Sequence, residues 1–546
     1  MKMLRGCLFL ICSFLIFADC AVAQEMATMT TKQPASALVA VKKNTADQKI
    51  SKGTILFVPL DNRPVCKNYT VDTLRAAGWN VQLPPEEAIS AGDHGGNPEI
   101  LFSWLDAKAP EAISMVVSAD ALIYGGLVDS RTHHADPQML LSRANRLLSL
   151  KNKTGNPNVY AFVTVMRSPR ASSAPVEPAY YKDWGAQIFR RGQLLDKQDL
   201  GTLSKNETRE LLNLQQLIPA QVQQDIDTRR AVNLKVTKAL LQGTGNNKLD
   251  YLMVGRDDTS TFSQAHKDAR QIESLVRKLP EKKVRFFAGA DQLGLILLNR
   301  AVNTLTYKTP FVYPFYAEGI GAKTIPSYED TVIGTTVHEH IVAAGAFPVS
   351  EAKQADVCLG IFTPIDGKTM EAGNVKNDGR ITVHEENFAY KIKRLLEQGK
   401  DVAVADIAFG NGSSTALTKE LFQTGIARKF VAYGGWNTAS NAMGMALGQG
   451  LLAKYMNRTD KLKQLEIRYL EDWGYQAKVR TAVYQELIWP KDLPGSQMPP
   501  AVKTEAEAAI TVDMLKMTVP VLGNMAAKYN YTLPWARMFE VYVTPK

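Results

Sequence analysis

Cysteine is scarce in this chain, which excludes a disulfide scaffold. Of five cysteines, Cys7, Cys12 and Cys20 fall in the first 23 residues. That leaves Cys66 and Cys358, a single pair widely separated in sequence that could join in an oxidising compartment but makes no framework, so a packed core must carry stability. Beyond residue 23 no stretch approaches the ~20 uninterrupted apolar residues of a membrane span. Strong charge of one sign is missing too. No basic run is interleaved with aromatics, so the sequence predicts no nucleic-acid partner. No Gly-x-Ser-x-Gly elbow occurs, which leaves a serine hydrolase without support.

The first 23 residues carry Lys2 and Arg5, an apolar stretch over 7–18, and Ala21-Val22-Ala23 before Gln24. This is the layout of a secretory signal peptide. A competing lipoprotein box, Phe17-Ala18-Asp19-Cys20, places a charged residue where a small neutral one belongs. The expectation is a soluble, periplasmic or secreted protein beginning at Gln24. Losing Lys2, Arg5 and Asp19 leaves 62 basic and 53 acidic residues, a net charge of +9 with histidines neutral. Residues 24–52 are polar and read as a flexible leader. The length that remains predicts two or three domains.

What the chain has in abundance is apolar runs that end in an acid. Val58-Pro59-Leu60-Asp61, Val116-Val117-Ser118-Ala119-Asp120, Leu252 to Asp257-Asp258, Phe286 to Asp291 and Val402 to Asp406 share this form. With helical periods between them, they predict a mainly parallel α/β fold whose strand ends share one side, bringing five acids to one pocket. Strands are expected near 54–60, 81–83, 113–117, 159–166, 251–254, 284–287, 311–315, 357–362, 402–405 and 430–433. Ten strands do not close a simple barrel, so the choice lies between a distorted barrel, slightly favoured, and two doubly wound sheets. The expected divisions are a first α/β region at 53–320 with a helical insertion at about 180–242, a second at 321–457, and a helical C-terminal region at 458–546 ending in a strand near 538–543.

Asp257 and Asp258 are the sharpest candidates for catalysis. Adjacent carboxylates at a strand end point apart, so one can protonate a leaving group while the other orients a neighbour or activates water. Closely held like charges push one pKa up, as a general acid needs. The bland alternative is that one of them caps the helix near Ser263. Asp61, Asn62 and Arg63, followed by Pro64, form a polar cluster that can grip hydroxyls or a carboxylate, or simply close an Asx turn. Asp120 and Tyr124 lead into Gly125-Gly126 and on to Arg131, a weak phosphate cradle because it lacks both Gly-x-Gly-x-x-Gly spacing and a Walker lysine. Asp291 is a further contact. Trp436, Asn437 and Asn441 offer an aromatic platform with amides for a sugar, or a glycine turn leading into a helix. His338 and His340 are two apart and face different sides of a helix, unlike His-Glu-x-x-His. His94 is a candidate loop contact, and Cys66 is expected to pack beside Arg63.

These motifs together resemble a bacterial family known as domain of unknown function four-one-two-seven. The likeness spans nearly all of the chain after the leader. It rests on Pro59-Leu60-Asp61-Asn62-Arg63-Pro64, Tyr124-Gly125-Gly126-Leu127-Val128 with Ser130-Arg131, Arg229-Arg230 with Asn233, Asp257-Asp258, Gly289-Ala290-Asp291, Gly435-Trp436-Asn437-Thr438-Ala439 and Glu471-Asp472-Trp473. The family brings no activity. A fainter likeness is to O-GlcNAcase-type and hyaluronidase-like hexosaminidases, which use adjacent aspartates after a barrel strand in substrate-assisted hydrolysis. It implies catalysis by Asp257-Asp258, with Arg63 and Trp436-Asn437 on the substrate.

The sequence thus predicts an exported glycoside hydrolase acting on an envelope or extracellular saccharide without a cofactor. One alternative is a hydrolase holding Mg²⁺ or Ca²⁺ through Asp61, Asp120, Asp257 and Asp291. Another is a carbohydrate-binding protein without catalysis.

Overall fold

The computed structural model describes residues 53–153, 155–170, 175–279 and 283–546. The expected signal peptide (1–23) and leader (24–52) lie outside the described residues. Six strands, β1 (Thr54–Val58), β2 (Asn80–Gln82), β3 (Ala112–Ser118), β4 (Asn158–Val165), β5 (Tyr251–Arg256) and β6 (Val284–Ala288), form one sheet in the order β2-β1-β3-β4-β5-β6. Five more, β7 (Phe311–Tyr316), β8 (Phe347–Pro348), β9 (Val357–Phe362), β10 (Asp401–Asp406) and β11 (Ala432–Gly434), form a second sheet in the order β8-β7-β9-β10-β11. Every pairing in both sheets is parallel.

Both sheets repeat one winding rule. The second strand lies outside the first and the third returns to its other side, which creates a topological switch point between β1 and β3 and another between β7 and β9. Among the described residues no pairing joins the two sheets or closes either one. The α/β class is as expected, and of its two arrangements the pairing is that of two doubly wound sheets. The chain passes between the sheets after β6, so β7 belongs to the second sheet although it precedes residue 320.

These segments become strands because they are buried on both faces, which is why they read as unbroken apolar runs. Along β1, Ile55 and Phe57 join one core while Leu56 and Val58 join another on the opposite face. Two buried helices separate the sheets. Leu293–Leu305 packs on β3 and β4, Ala439–Leu452 packs on β9, β10 and β11, and the helices pack on each other. Every residue of Ala439–Leu452 is buried. Its small side chains permit this: a Cβ on Gly448 would stand 2.6 Å from Leu295 Cγ, too close for any side chain.

The helical insertion between β4 and β5 comprises Tyr181–Asp199, Lys205–Leu217 and Ala220–Gly245. Ser204 and Glu207 form a reciprocal capping box at the start of its second helix. In the C-terminal region, Arg458–Arg468 continues into an eleven-residue π-helical stretch, Tyr469–Val479. Pro500–Leu522 follows, and the chain ends in antiparallel strands Tyr529–Thr532 and Tyr542–Pro545. The terminal strand starts later than expected, so Met538 and Phe539 are free to face a cavity instead. Among the described residues no helix is long and apolar enough to cross a membrane.

Candidate active site

The strand ends of the first sheet open onto a cavity of about 460 Å³, within the usual range for small-molecule sites. Arg63 follows β1, Arg131 closes the short helix Leu127–Thr132 after β3, Arg167 follows β4, Asp257 and Asp258 follow β5, and Asp291 follows β6. The second sheet contributes Asn437 from the loop after β11. The C-terminal region supplies the facing wall through Arg480, Tyr484, Trp535, Arg537 and Phe539. The location obeys the rule that ligands of open parallel sheets bind outside the carboxyl ends of the strands.

The two adjacent aspartates end a ladder of alternating charge. Arg131 Nη2 donates to Asp257 Oδ2 at 2.5 Å, and its other terminal nitrogen lies 3.8 Å from Glu177. Glu177 also accepts from Arg167 Nε at 2.6 Å, and Arg167 Nη1 donates to Asp258 Oδ2 at 2.8 Å. Three carboxylates and two guanidiniums leave one negative charge in excess. Exposure shows where that excess meets the cavity: the Asp257 side chain is 9% exposed and the Asp258 side chain 25%. Burial raises the Asp258 carboxyl above the ordinary carboxylate range, the charge of Asp257 raises it further, and Arg167 and Arg131 only partly offset this. Asp258 is therefore the ladder member best suited to carry a proton. Its backbone has φ of 31°, and Asn437 has φ of 64°, both in the region that favours glycine. Strain of this kind collects at functional sites. The helix at Gln264–Val276 is capped by Ser263 Oγ, which accepts from the His266 amide at 3.0 Å, so the bland role for the aspartates is taken by another residue.

A second cluster centres on Arg63, which is 5% exposed. Its guanidinium donates to both oxygens of Asp61 and, at 2.5 Å, to Asp291 Oδ1. Burial opposes its charge, but Asp291 and Asp61 hold it charged well above its ordinary range. Asp291 itself is raised by burial and pulled back by Arg63. Asn437 Nδ2 donates to Asp291 Oδ2 at 3.0 Å, and Asn441 Oδ1 accepts from the Asp291 amide at 3.1 Å. Cys66 packs against Arg63 as expected, and burial pushes its thiol well up. Cys66 and Cys358 are both free and buried.

The remaining sequence motifs hold these loops in place. Arg230 donates to the carbonyls of Met166 and Arg167 and pairs with Asp268, which fixes the chain where Arg167 leaves β4. Arg229 donates to the His133 carbonyl, and Asn233 to that of Ser130, which fixes the turn bearing Arg131. Asp472 accepts from the Gly435 amide at 2.8 Å and so anchors the loop of Asn437. Asn62 Oδ1 accepts from Trp535 Nε1 at 2.7 Å, tying the C-terminal wall to the first loop.

Several expected contacts lie elsewhere. Asp120 is fully buried, accepts from the Thr164 amide and hydroxyl, and is raised by burial to about 7. Asp406 is likewise buried, accepting from Tyr433 and the Ser414 amide. These two acids hold backbone behind the strand ends and do not reach the cavity. Tyr124 stacks on His133 at 5.1 Å between ring centroids, away from it. Trp436 is 1% exposed and packs edge-on to Phe539, so its face is not open to a sugar; Tyr484, Trp535 and Phe539 are the aromatics on the cavity wall. Asp61, Asn62 and Asn441 support residues that line the cavity. His338 is exposed and His340 fully buried, on opposite sides of their helix, and His94 is exposed beside Asp93. Among the described residues no group of three or more His, Cys, Asp or Glu is placed to hold a metal ion. The four carboxylates of the metal alternative accept from side chains of the protein itself: Asp61 and Asp291 share Arg63, Asp257 takes Arg131 and Asp120 takes Thr164.

Sequence reasoning missed Arg167, Glu177 and the whole C-terminal wall. Trp535-Ala536-Arg537-Met538-Phe539, with aromatics and an arginine at every second position, is the signal that could have revealed that wall. No curated protein matches the chain. A family model described as "Protein of unknown function (DUF4127)" matches residues 55–544, nearly everything described above, and the chain belongs to that family.

Proposed function

We propose that this protein is an exported glycoside hydrolase acting on an envelope or extracellular saccharide. The observation that supports it most is the charge ladder, which ends in a carboxyl open to the cavity and raised above its ordinary range. Asp258 acts as the general acid, delivering its proton to the glycosidic oxygen as the bond from that oxygen to the anomeric carbon breaks; a water molecule then forms the new bond to that carbon and gives up a proton that restores the acid. Asp257, paired with Arg131 in the next position, is the orienting or second carboxylate, placed to face the positive charge that grows on the sugar or to align its neighbour. Arg131 and Arg167 position the two carboxyls. Asn437 and Arg63 set Asp291 at the cavity floor, and Trp535 with Phe539 offers an apolar face to a sugar ring.

The test is hydrolysis of a panel of chromogenic glycosides, N-acetylhexosaminides included, by protein beginning at Gln24. Activity that survives a chelator and falls about 10²- to 10⁴-fold in Asp258→Asn supports the reading. Turnover only with added divalent metal, or equal turnover by Asp258→Asn, contradicts it.

A further inference from the structure

The reactive carboxyl stands at a junction. A second cavity of about 650 Å³ adjoins the first and shares Arg167, Asp258, Asn437 and Phe539 with it. The helical insertion and the second sheet's loops complete this second space through Phe189, Tyr328, Asn374 and Asn411. The two cavities differ in charge. In the first, Arg63, Arg131, Arg167 and Arg537 each have a carboxylate partner, from Asp61 to Glu540. Arg480 has none among the described residues: it donates to Gln476 Oε1 at 2.7 Å and lies 4.9 Å over the Phe539 ring. Arg131 adds a buried Nε without a hydrogen-bond partner. In the second cavity, Glu371 is held by Tyr328 and Asn411 and Arg170 lies 5.3 Å over the Phe189 ring, one charge of each sign beside aromatic and amide groups, which leaves no excess charge and suits neutral hydroxyls.

Resting on the glycosidase reading, we infer that the substrate is an oligosaccharide laid across both cavities, with an anionic unit beside Arg480, a neutral unit against Phe189 and Tyr328, and Asp258 at the bond between them. A guanidinium held by a neutral amide keeps donors for a carboxylate or a sulfate, and its stacking on Phe539 aims the planar fork in advance. A cavity on either side of the acid is what an enzyme needs to cut within a chain. A single pocket would serve removal of one terminal sugar.

The experiment uses Asp258→Asn protein, to suppress turnover, with four probes followed by calorimetry. They are a tetrasaccharide alternating glucuronate with N-acetylglucosamine, the same compound with its carboxyls reduced to alcohols, a sulfated counterpart, and the acidic disaccharide. The acidic tetrasaccharide should bind at least about tenfold more tightly than the reduced one and than the disaccharide. Adding Arg480→Gln should erase most of that preference, a loss of roughly 10- to 100-fold for a charged hydrogen bond, and Arg480→Lys should restore part of it. Binding of the sulfated probe as tight as the uronate supports the same site with sulfate as its anion. Equal binding of acidic and reduced tetrasaccharides, or a preference unchanged by Arg480→Gln, overturns the inference. Hydrolysis of the reduced tetrasaccharide by wild-type protein at the acidic one's rate also overturns it, and leaves the glycosidase reading standing. Tight acidic binding without wild-type hydrolysis keeps the ligand and overturns the catalytic reading.

Discussion

Arg63→Gln should destabilise the protein in a way that depends on pH. The guanidinium is the common partner of Asp61, which is 1% exposed, and Asp291, which is 6% exposed. Removing it leaves two buried carboxylates with amides and a backbone N–H as their remaining donors. Breaking a buried pair from one side costs about 3–5 kcal/mol. For a chain of about five hundred residues the unfolding entropy is roughly 1 kcal/mol per degree, so the expected fall in melting temperature is about 4 °C at pH 8. Without Arg63 the carboxyl of Asp291, already raised by burial, rises further, so it takes up a proton as pH falls and the penalty shrinks towards pH 5. Thermal melts followed by circular dichroism across pH 5–8 measure this. Asp61→Asn in the Arg63→Gln background should recover a large part of the loss at pH 8. Arg63 also lies 5.6 Å over the Trp535 ring, so a loss that is the same at every pH, or no recovery in the double variant, would show that this packing and not charge explains the effect, and would refute the reasoning.

Buried acids should also set the pH dependence of overall stability. Burial raises Asp120, Asp406 and Glu329 to about 7, so the folded state holds protons that the unfolded chain releases near pH 4. Their contribution is full below pH 4 and is lost as pH rises to about 7, while His340, lowered to about 3, opposes them with one proton. The melting temperature should therefore fall between pH 5 and 7, and Asp406→Asn should flatten that slope. Asn437→Gly keeps the positive φ and loses only the contact to Asp291, whereas Asn437→Ala adds about 1–2 kcal/mol of backbone strain, so the alanine variant should melt lower. Cys66 should resist thiol reagents in the folded protein and react on unfolding, because burial and the neighbouring acids disfavour its thiolate; a thiol titration in and out of urea checks this.

The sheets were legible because parallel strands buried on both faces leave unbroken apolar runs, and all ten expected strands fall at or beside strands of the two sheets. β8 was not, since two residues carry no pattern. The acid at each run's end marked the right side of the sheet but not which acids reach the cavity. Asp120 and Asp406 serve buried backbone groups, which no periodicity reports. Arg167 went unseen because its strand ends in a base, so a search for acids passed over it. Trp436 was misplaced because neighbours in a turn point opposite ways: Asn437 faces the cavity and Trp436 the core. The C-terminal wall is joined to the aspartates only by the long-range folding of the chain.

The central claim is that Asp258 gives a proton to a departing sugar oxygen, and leaving-group dependence tests it most directly. Wild-type and Asp258→Asn protein would be compared on aryl glycosides of one hydrolysed sugar, from dinitrophenyl to unactivated phenyl. A departing group that needs no proton should be released almost as fast by the variant, while the phenyl glycoside should slow by about 10²- to 10⁴-fold. An equal loss on both would mean that Asp258 does not act as the acid and would contradict the account.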